Sequence, residues 1–171
     1  MAFQYLDASA LVKYYVLEPG SMWVRGLIDL AGEQTPLSAH SILMADVSVA
    51  EVSAAFSILH RVNRLRRMAW ESAYDRFMDD VSRRYQLVGA GRDDFFAAAD
   101  LARQHPLKAY DAVQLAVALR RHHALRAVKQ SLIFVSGDKT LLAAAEAEGL
   151  ATDNPFDHVS PQDTPEPTSS S

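Results

Sequence analysis

Four acidic residues are placed where they could hold a metal ion together. Asp7 directly follows a short apolar segment, and Asp138 follows a second apolar segment after two small residues. Glu51 and Asp111 each lie in the first turn of a segment with helical periodicity. If the two apolar segments are strands of one parallel sheet, all four carboxylates are expected at the edge formed by the carboxyl ends of the strands.

Carboxylates grouped in this way bind hard cations. Mg²⁺ and Mn²⁺ prefer oxygen ligands and keep several of their waters. One or two such ions can activate a water, clamp a phosphate and stabilise a leaving oxygen. Without a metal, four close carboxylates would repel one another and raise one another's pKa. The grouping therefore favours cation binding over a role in stability.

Each acid also has a structural alternative. Ser48 and Glu51 match a capping box, S-x-x-E, in which the glutamate only caps its helix. Asp111 and Asp138 lie in first turns, where acids interact favourably with the helix dipole. Asp7 ends an apolar segment beside small residues and is harder to explain in this way. Because these alternatives do not share one cause, the occurrence of all four acids in order favours a functional site.

Apolar and helical patterns alternate along the chain. The predicted strands are Ala2–Leu6, His40–Ala45, Gln86–Val88, Ser131–Val135 and Leu150–Thr152. The predicted helices are Ala8–Leu17, Ser21–Ala31, Ser48–Asn63, Met68–Arg84, Asp93–Gln104, Lys108–Leu125 and Asp138–Glu148. Strands separated by helices indicate an α/β sandwich with a mostly parallel central sheet. Residues 1–159 are predicted to form this domain, and the Pro-, Ser- and Thr-rich residues 160–171 to form a disordered tail.

The composition excludes several classes of protein. A length of 171 residues with 49% hydrophobic residues suffices for one domain with a substantial core. The absence of cysteine excludes disulfides, thiolate metal sites and a cysteine nucleophile, and it fits a reducing cytoplasm. The N-terminus lacks a signal-peptide pattern, and no apolar run approaches the roughly 18 residues of a membrane span. A net charge of −4 gives no overall attraction to nucleic acid, so such binding would depend on basic patches or bridging metal ions.

Basic residues occur in local groups. Lys13 lies close to Asp7 in the sequence. The two groups of arginines are Arg61, Arg64, Arg66 and Arg67, and Arg120, Arg121 and Arg126. Such groups can contact phosphates, although a run of charges is more often a solvated surface. Two further acids near predicted strand ends, Asp46 and Asp153, are interpreted as solvated or capping residues.

The segments that carry the four acids resemble a known family. Their sequences are YLDASALVK (5–13), SVAEV (48–52), LKAYDAVQLA (107–116) and FVSGDKTL (134–141). In order and spacing, from about Phe3 to Pro155, these segments are similar to the acidic motifs of the PIN domain, and specifically of the VapC-like toxins of bacterial toxin–antitoxin pairs. The opening and third motifs, correctly spaced, are the most specific part of this resemblance.

The resemblance implies a Rossmann-like α/β/α sandwich, dependence on Mg²⁺ or Mn²⁺, and hydrolytic cleavage of RNA by a water that the metal activates. It makes Asp7, Asp111 and Asp138 carboxylates of the metal site, with Glu51 acting directly or through a water. Ser9 would support the first acid or a metal-bound water, and Ser136 is a second supporting residue. The alternative for Ser9 is a helix N-cap.

The resemblance also implies partners. These are an RNA substrate, a cognate antitoxin that covers the acidic site through an arginine, and a second copy of the chain in a homodimer, with no membrane attachment. The helices Ser21–Ala31 and Ser48–Asn63 are candidates for the dimer or antitoxin surface, and their apolar faces could equally belong to the core.

Two other classes of function remain open at this point. A phosphatase of the haloacid-dehalogenase type also begins with a strand that ends in aspartate, but it needs a second acid two residues later, where this chain has Ser9. The other alternative is a catalytically silent interaction module on the same fold, in which the acidic residues no longer bind metal. The presence of all four acids argues against this alternative.

Overall fold

A single parallel sheet forms the centre of the protein. The computed structural model describes residues 2–32 and 42–160. The strands of the sheet are β1 (Ala2–Leu6), β2 (Ile42–Ala45), β3 (Gln86–Val88), β4 (Ser131–Val135) and β5 (Ala151–Asp153). Their order is β3-β2-β1-β4-β5, and every pair of neighbours is parallel. β1 therefore lies in the middle, paired with β2 on one side and with β4 on the other.

Helices cover both faces of this sheet. They are α1 (Ala8–Tyr15), α2 (Ser21–Gly32), α3 (Val47–Arg61), α4 (Arg67–Arg83), α5 (Arg92–Gln104), α6 (Ala109–Ala127) and α7 (Lys139–Ala147). Buried residues of α1 to α4 pack on one face, and those of α5 to α7 pack on the other. Phe3 and Tyr5 of β1 belong to the second of these cores and Leu6 to the first, as alternation along a strand requires. The predicted α/β/α sandwich with a parallel sheet is confirmed.

The predicted element boundaries agree closely with the observed ones. β1 and β4 have the predicted bounds, whereas β5 begins one residue later than predicted. α1 ends at Tyr15 rather than at Leu17, because Val16 adopts an extended conformation. α6 continues past Leu125 to Ala127, and Lys129, with φ of 57°, follows two residues later.

Some expectations fall outside the described residues. The first two residues of the predicted strand His40–Ala45 are among them, and so is the predicted tail from residue 161 onward. Within residues 2–32 and 42–160, no helix has the length and apolar character needed to cross a membrane.

Candidate active site

The four predicted acids meet at one cavity. Asp7, Glu51, Asp111 and Asp138 all line an open cavity of about 440 Å³. It lies beyond the carboxyl ends of β1 and β4, where Leu6 pairs with Val135 and the Asp7 amide donates to the Val135 carbonyl at 3.1 Å. The chain runs outward from β1 through β2 to β3 and then crosses to β4, so this is the switch point at which α/β sheets form their binding crevices. The four acids therefore lie at the expected edge of the sheet, and their role as metal ligands stays a prediction.

Asp7 is a buried carboxylate held by hydroxyl groups. Its side chain is only 5% exposed, and it caps α1 by accepting from the Ala10 amide at 2.9 Å. Ser9 donates to Oδ1 at 2.8 Å, and the buried Ser136 donates to Oδ2 at 2.7 Å. Burial raises the pKa of Asp7 to about 6, although these hydrogen bonds lower it, and the charge of Glu51 adds a smaller increase.

The two serines also join the loops that follow β1 and β4. The Ser9 hydroxyl accepts from the Gly137 amide at 2.8 Å, and the Ser136 hydroxyl accepts from the Asp138 amide at 3.0 Å. Each hydroxyl can therefore donate to Asp7 while it accepts from an amide of the loop after β4, so Ser9 and Ser136 together tie Asp7 to that loop. The N-cap of α1 is Asp7, so the alternative role of Ser9 as the N-cap is wrong.

Glu51 is held by an amide side chain on another helix. Gln114 Nε2 donates to Glu51 Oε2 and to Ser48 Oγ, both at 2.6 Å, and Tyr5 donates its hydroxyl to Gln114 Oε1 at 3.0 Å. The S-x-x-E capping box is not formed, because α3 begins at Val47 and the buried Ser48 lies inside the helix. Burial raises the pKa of Glu51, the Gln114 hydrogen bond lowers it, and the charge of Asp111 raises it further.

Gln114 is a site residue that the sequence analysis missed. It lies three residues after Asp111, on the same face of α6, and it is only 1% exposed. Its neighbours Ala112, Val113 and Leu115 are all buried and apolar. A single amide within an apolar helical stretch was the available signal, since a buried amide requires hydrogen-bond partners.

Asp111 and Asp138 complete the acidic side of the cavity. Burial raises the pKa of the half-buried Asp111, and the charge of Asp138 raises it further. Asp138 is also the N-cap of α7, because its Oδ1 accepts from the amides of Thr140 and Leu141 at 2.8 and 3.1 Å. Asp138 therefore both caps α7 and lines the cavity.

The four carboxylates influence one another without forming a preassembled cluster. Charge repulsion raises the pKa of Asp7 through Glu51, of Glu51 through Asp111, and of Asp111 through Asp138. Among the described residues, no group of three or more His, Asp or Glu side chains could hold an ion in its present arrangement. The donors nevertheless fit a divalent cation, because all are carboxylate oxygens and mutual repulsion adds to the raised pKa of Asp7, Glu51 and Asp111.

Lys13 lies beside the cavity but is already paired. Its side chain is 2% exposed, and Nζ lies 3.2 Å from Glu18 Oε2 and 3.8 Å from the centre of the Phe156 ring. Burial and the ion pair both argue against the predicted contact of Lys13 with a phosphate. Glu18 and Phe156 line the same cavity, and the sequence analysis did not identify either residue.

The first group of arginines lies on the surface where α3 passes into α4. Arg61, Arg64, Arg66 and Arg67 are all exposed. Arg64 comes within 3.7 Å of Glu18, which places this end of the group next to the cavity, and Arg67 pairs with Glu71 along α4. A contact between this group and nucleic acid remains a prediction.

In the second group of arginines, Arg120 makes contacts within the fold. Arg120 binds Asp94 at 2.8 Å and the Gly89 carbonyl at 2.7 Å.

The two additional acids near strand ends, Asp46 and Asp153, also make local contacts. Asp46 is exposed and accepts from the Ala90 amide at 3.1 Å, and Asp153 lies 2.6 Å from Nε2 of His158.

Comparison with known proteins places this fold and site in a family. The model of the PIN domain matches residues 4–146. The chain therefore belongs to the PIN domain family, whose members are generally nucleases. A comparison with curated proteins finds no relative that is similar in sequence.

Several solved structures share the fold. FitAcB from Neisseria gonorrhoeae superposes with a TM-score of 0.59 at 15% identity, and VapBC2 from Rickettsia felis, solved with a DNA fragment from its promoter, superposes with 0.58 at 12%. A toxin–antitoxin complex from Klebsiella pneumoniae gives 0.54 at 14%. Each match covers 90% of this chain and 98% of the solved chain. At these identities the likeness shows the fold alone.

Proposed function

We propose that this protein is a Mg²⁺- or Mn²⁺-dependent endoribonuclease that acts as the toxin of a toxin–antitoxin pair. The observation that carries the proposal is the convergence of Asp7, Glu51, Asp111 and Asp138 on one cavity at the switch point of the sheet. The all-oxygen chemistry of the four acids, and the raised pKa values of Asp7, Glu51 and Asp111, suit a hard divalent ion. The PIN family supports nuclease activity, and the acidic motifs described above support RNA as the substrate.

In this scheme each carboxylate has a defined task. Asp7, Asp111 and Asp138 would hold the ion, and Glu51 would bind it directly or through a water. A bound ion supplies a polarised phosphate and an activated water. Ser9 and Ser136 orient Asp7, and Gln114 orients Glu51, so the polypeptide mainly positions charge and provides no nucleophile.

The partner and cellular setting belong to the same proposal. Similar folds occur in VapBC2, in FitAcB and in a toxin–antitoxin complex, which supports a cognate antitoxin for this chain. An antitoxin arginine entering the cavity would offset the charge of the four acids in place of the metal. A homodimer and a cytoplasmic location complete the proposal.

Two substitutions test the catalytic part. Asp7→Asn and Asp111→Asn should each abolish divalent-dependent cleavage of RNA, because each removes a charged oxygen ligand. Asp93→Asn is a matched control, since Asp93 is exposed on α5 and outside the residues that line the cavity. Cleavage by folded Asp7→Asn and Asp111→Asn proteins at the wild-type rate would refute the scheme.

A binding measurement separates an active nuclease from a silent module on the same fold. Titration with Mn²⁺ in a calorimeter should give saturable binding to the wild type and much weaker binding to Asp111→Asn. If the wild type binds no Mn²⁺ at millimolar concentration, the silent module is the better interpretation. The phosphatase alternative is disfavoured because Ser9, which stands in place of the second acid, donates its hydroxyl to Asp7.

A further inference from the structure

The cavity also has an apolar side in addition to its carboxylates. Val12, Ala55, Ile58 and Leu59, from α1 and α3, line it together with Phe156 from the turn after β5. A metal site and a phosphate need no such surface. A volume of about 440 Å³ is within the range of small-molecule sites, so there is room beside the acids for a planar organic group.

Phe156 is the aromatic residue on this apolar side. Phe156 is 44% exposed, so part of its side chain is accessible to a ligand in the cavity. The ammonium of Lys13 lies 3.8 Å from its ring centre. A Cβ on Gly137 would lie only 3.1 Å from Cε2 of the ring, so the glycine permits the close approach of the ring to the loop that carries Asp138.

The turn that carries Phe156 is held firmly in place. It is a short 3-10 helix, Pro155–Asp157, and the Asn154 side chain caps it by accepting from the Phe156 amide at 3.0 Å. On its far side His158 stacks on Trp23 with ring centres 4.3 Å apart and planes 8° apart. The ring is thus presented to the cavity by a constrained backbone, as preorganised recognition requires.

We propose that Phe156 is a stacking platform for an unpaired nucleobase of the substrate, beside the phosphate that the acidic site would cleave. Aromatic side chains bind bases by stacking, which is available only when the base is not held inside a duplex. The exposed Arg64 beside Glu18 supplies a cation at this edge of the cavity for the phosphate backbone of such a ligand. This inference rests on the proposed nuclease function and assigns a residue for substrate binding.

Binding to oligoribonucleotides tests the platform. Probes are a fluorescent oligoadenylate of about 12 nucleotides and an abasic ribose-phosphate oligomer of the same length, in Ca²⁺ buffer. Phe156→Ala and Phe156→Leu should weaken binding of oligoadenylate by about five- to 150-fold, the range for loss of one stacked base, and leave abasic binding unchanged. Phe156→Trp should retain binding. Leucine keeps the apolar volume, so its effect reports loss of the π face.

Phe95→Ala serves as the matched control. Phe95 is 51% exposed on α5 and is not among the residues that line the cavity, so its removal should leave both affinities unchanged. Equal losses for intact and abasic oligomers in the Phe156 variants would overturn the platform, and so would unchanged oligoadenylate binding. An effect on binding of an antitoxin peptide but not of RNA would assign the ring to a protein partner and also overturn it.

The outcomes for the wild type distinguish this inference from the proposed function. If the wild type cleaves RNA but the Phe156 variants behave like it in both binding and KM, the platform is wrong and the nuclease stands. If the wild type neither binds nor cleaves RNA, both fail.

Discussion

At the scale of single residues, burial of the Asp7 carboxylate lowers the folding stability of the metal-free protein near neutral pH. This carboxyl group is buried, and burial raises its pKa from 3.8 to about 6. The folded state therefore holds the proton more tightly than the unfolded chain does. Stability from this group is fully present below about pH 4 and is lost as the pH rises through about 6. Near neutral pH the burial of this charge opposes folding by about 3 kcal/mol.

Asp7→Asn should therefore stabilise the metal-free protein at neutral pH while it removes activity. We expect a gain of about 1–2 kcal/mol at pH 7, smaller than the full effect because the amide NH₂ cannot accept from the serine hydroxyls. The gain should shrink as the pH falls and vanish below about pH 3, where the wild-type carboxyl is protonated in both states. Urea unfolding with a chelator measures it, and Asp93→Asn is the control. A gain independent of pH would contradict this account.

Gln114 is the second residue whose role is testable by itself. Gln114→Met keeps the volume and removes the hydrogen bonds to Glu51 and Ser48, and it leaves the Tyr5 hydroxyl without its amide partner. We expect a loss of about 1–3 kcal/mol in unfolding free energy. We also expect weaker Mn²⁺ binding, because Glu51 loses its orientation and its pKa rises further.

The Mn²⁺ affinity of Gln114→Met shows whether Gln114 positions Glu51 or only stabilises the fold. Gln104→Met, on the exposed end of α5, is the control and should change neither quantity. If Gln114→Met lowers stability but binds Mn²⁺ as the wild type does, Gln114 is structural only.

At the scale of elements, the site depends on the docking of the turn after β5 against the turn between α1 and α2. Gly20, with φ of 83°, lies in the turn between α1 and α2, and a Cβ there would be 2.2 Å from the Pro155 carbonyl oxygen. The contact fixes the segment that carries Phe156. A glycine is required there for its backbone conformation and for the close approach.

Gly20→Ala should separate these two requirements when it is compared with Gly149→Ala. Gly149 has φ of 87° and nothing within 4 Å of its added Cβ, so its substitution carries only the left-handed conformational penalty of about 1–2 kcal/mol. Gly20→Ala should be more destabilising by roughly another 1–3 kcal/mol, the usual effect of overpacking. Urea unfolding measures both. Equal losses would show that the contact with Pro155 contributes nothing.

At the scale of the whole molecule, charge is divided between an acidic cavity and a basic surface beside it. The net charge is −4, so attraction to RNA must be local. Arg61 and Arg64 at the end of α3 are exposed, and Arg64 reaches Glu18 at the cavity. Under the proposed function, this arrangement would let a phosphate backbone approach along the arginines while a metal ion offsets the charge of the four acids.

Substitution of these arginines should alter the salt dependence of RNA binding. In Arg61→Gln with Arg64→Gln, the slope of log affinity against log salt should fall by roughly 0.7 for each arginine that contacts a phosphate. Cleavage of saturating RNA should change little. Arg103→Gln, on exposed α5 at the other face of the sheet, is the control. An unchanged slope would place the RNA elsewhere on the protein.

Local sequence determined much of this protein. Hydrophobic periodicity and helix breakers predicted the strands and helices to within a few residues, because those signals act over one turn or one strand. The four acids were identified because each follows or opens an element whose end must lie at the carboxyl edge of a parallel sheet. The resemblance to the PIN domain rested on the same short segments.

Only the tertiary structure decided how the site is held. Ser48 and Glu51 match a capping box, yet the Gln114 amide from another helix binds both side chains, and no local pattern reports that contact. Lys13 lies near Asp7 in sequence, but packing pairs it with Glu18 and Phe156 instead. The contacts of Gln114 and of Phe156 join residues far apart in the chain, so their energies depend on distances that only the folded arrangement of α1, α3, α6 and the turn after β5 defines.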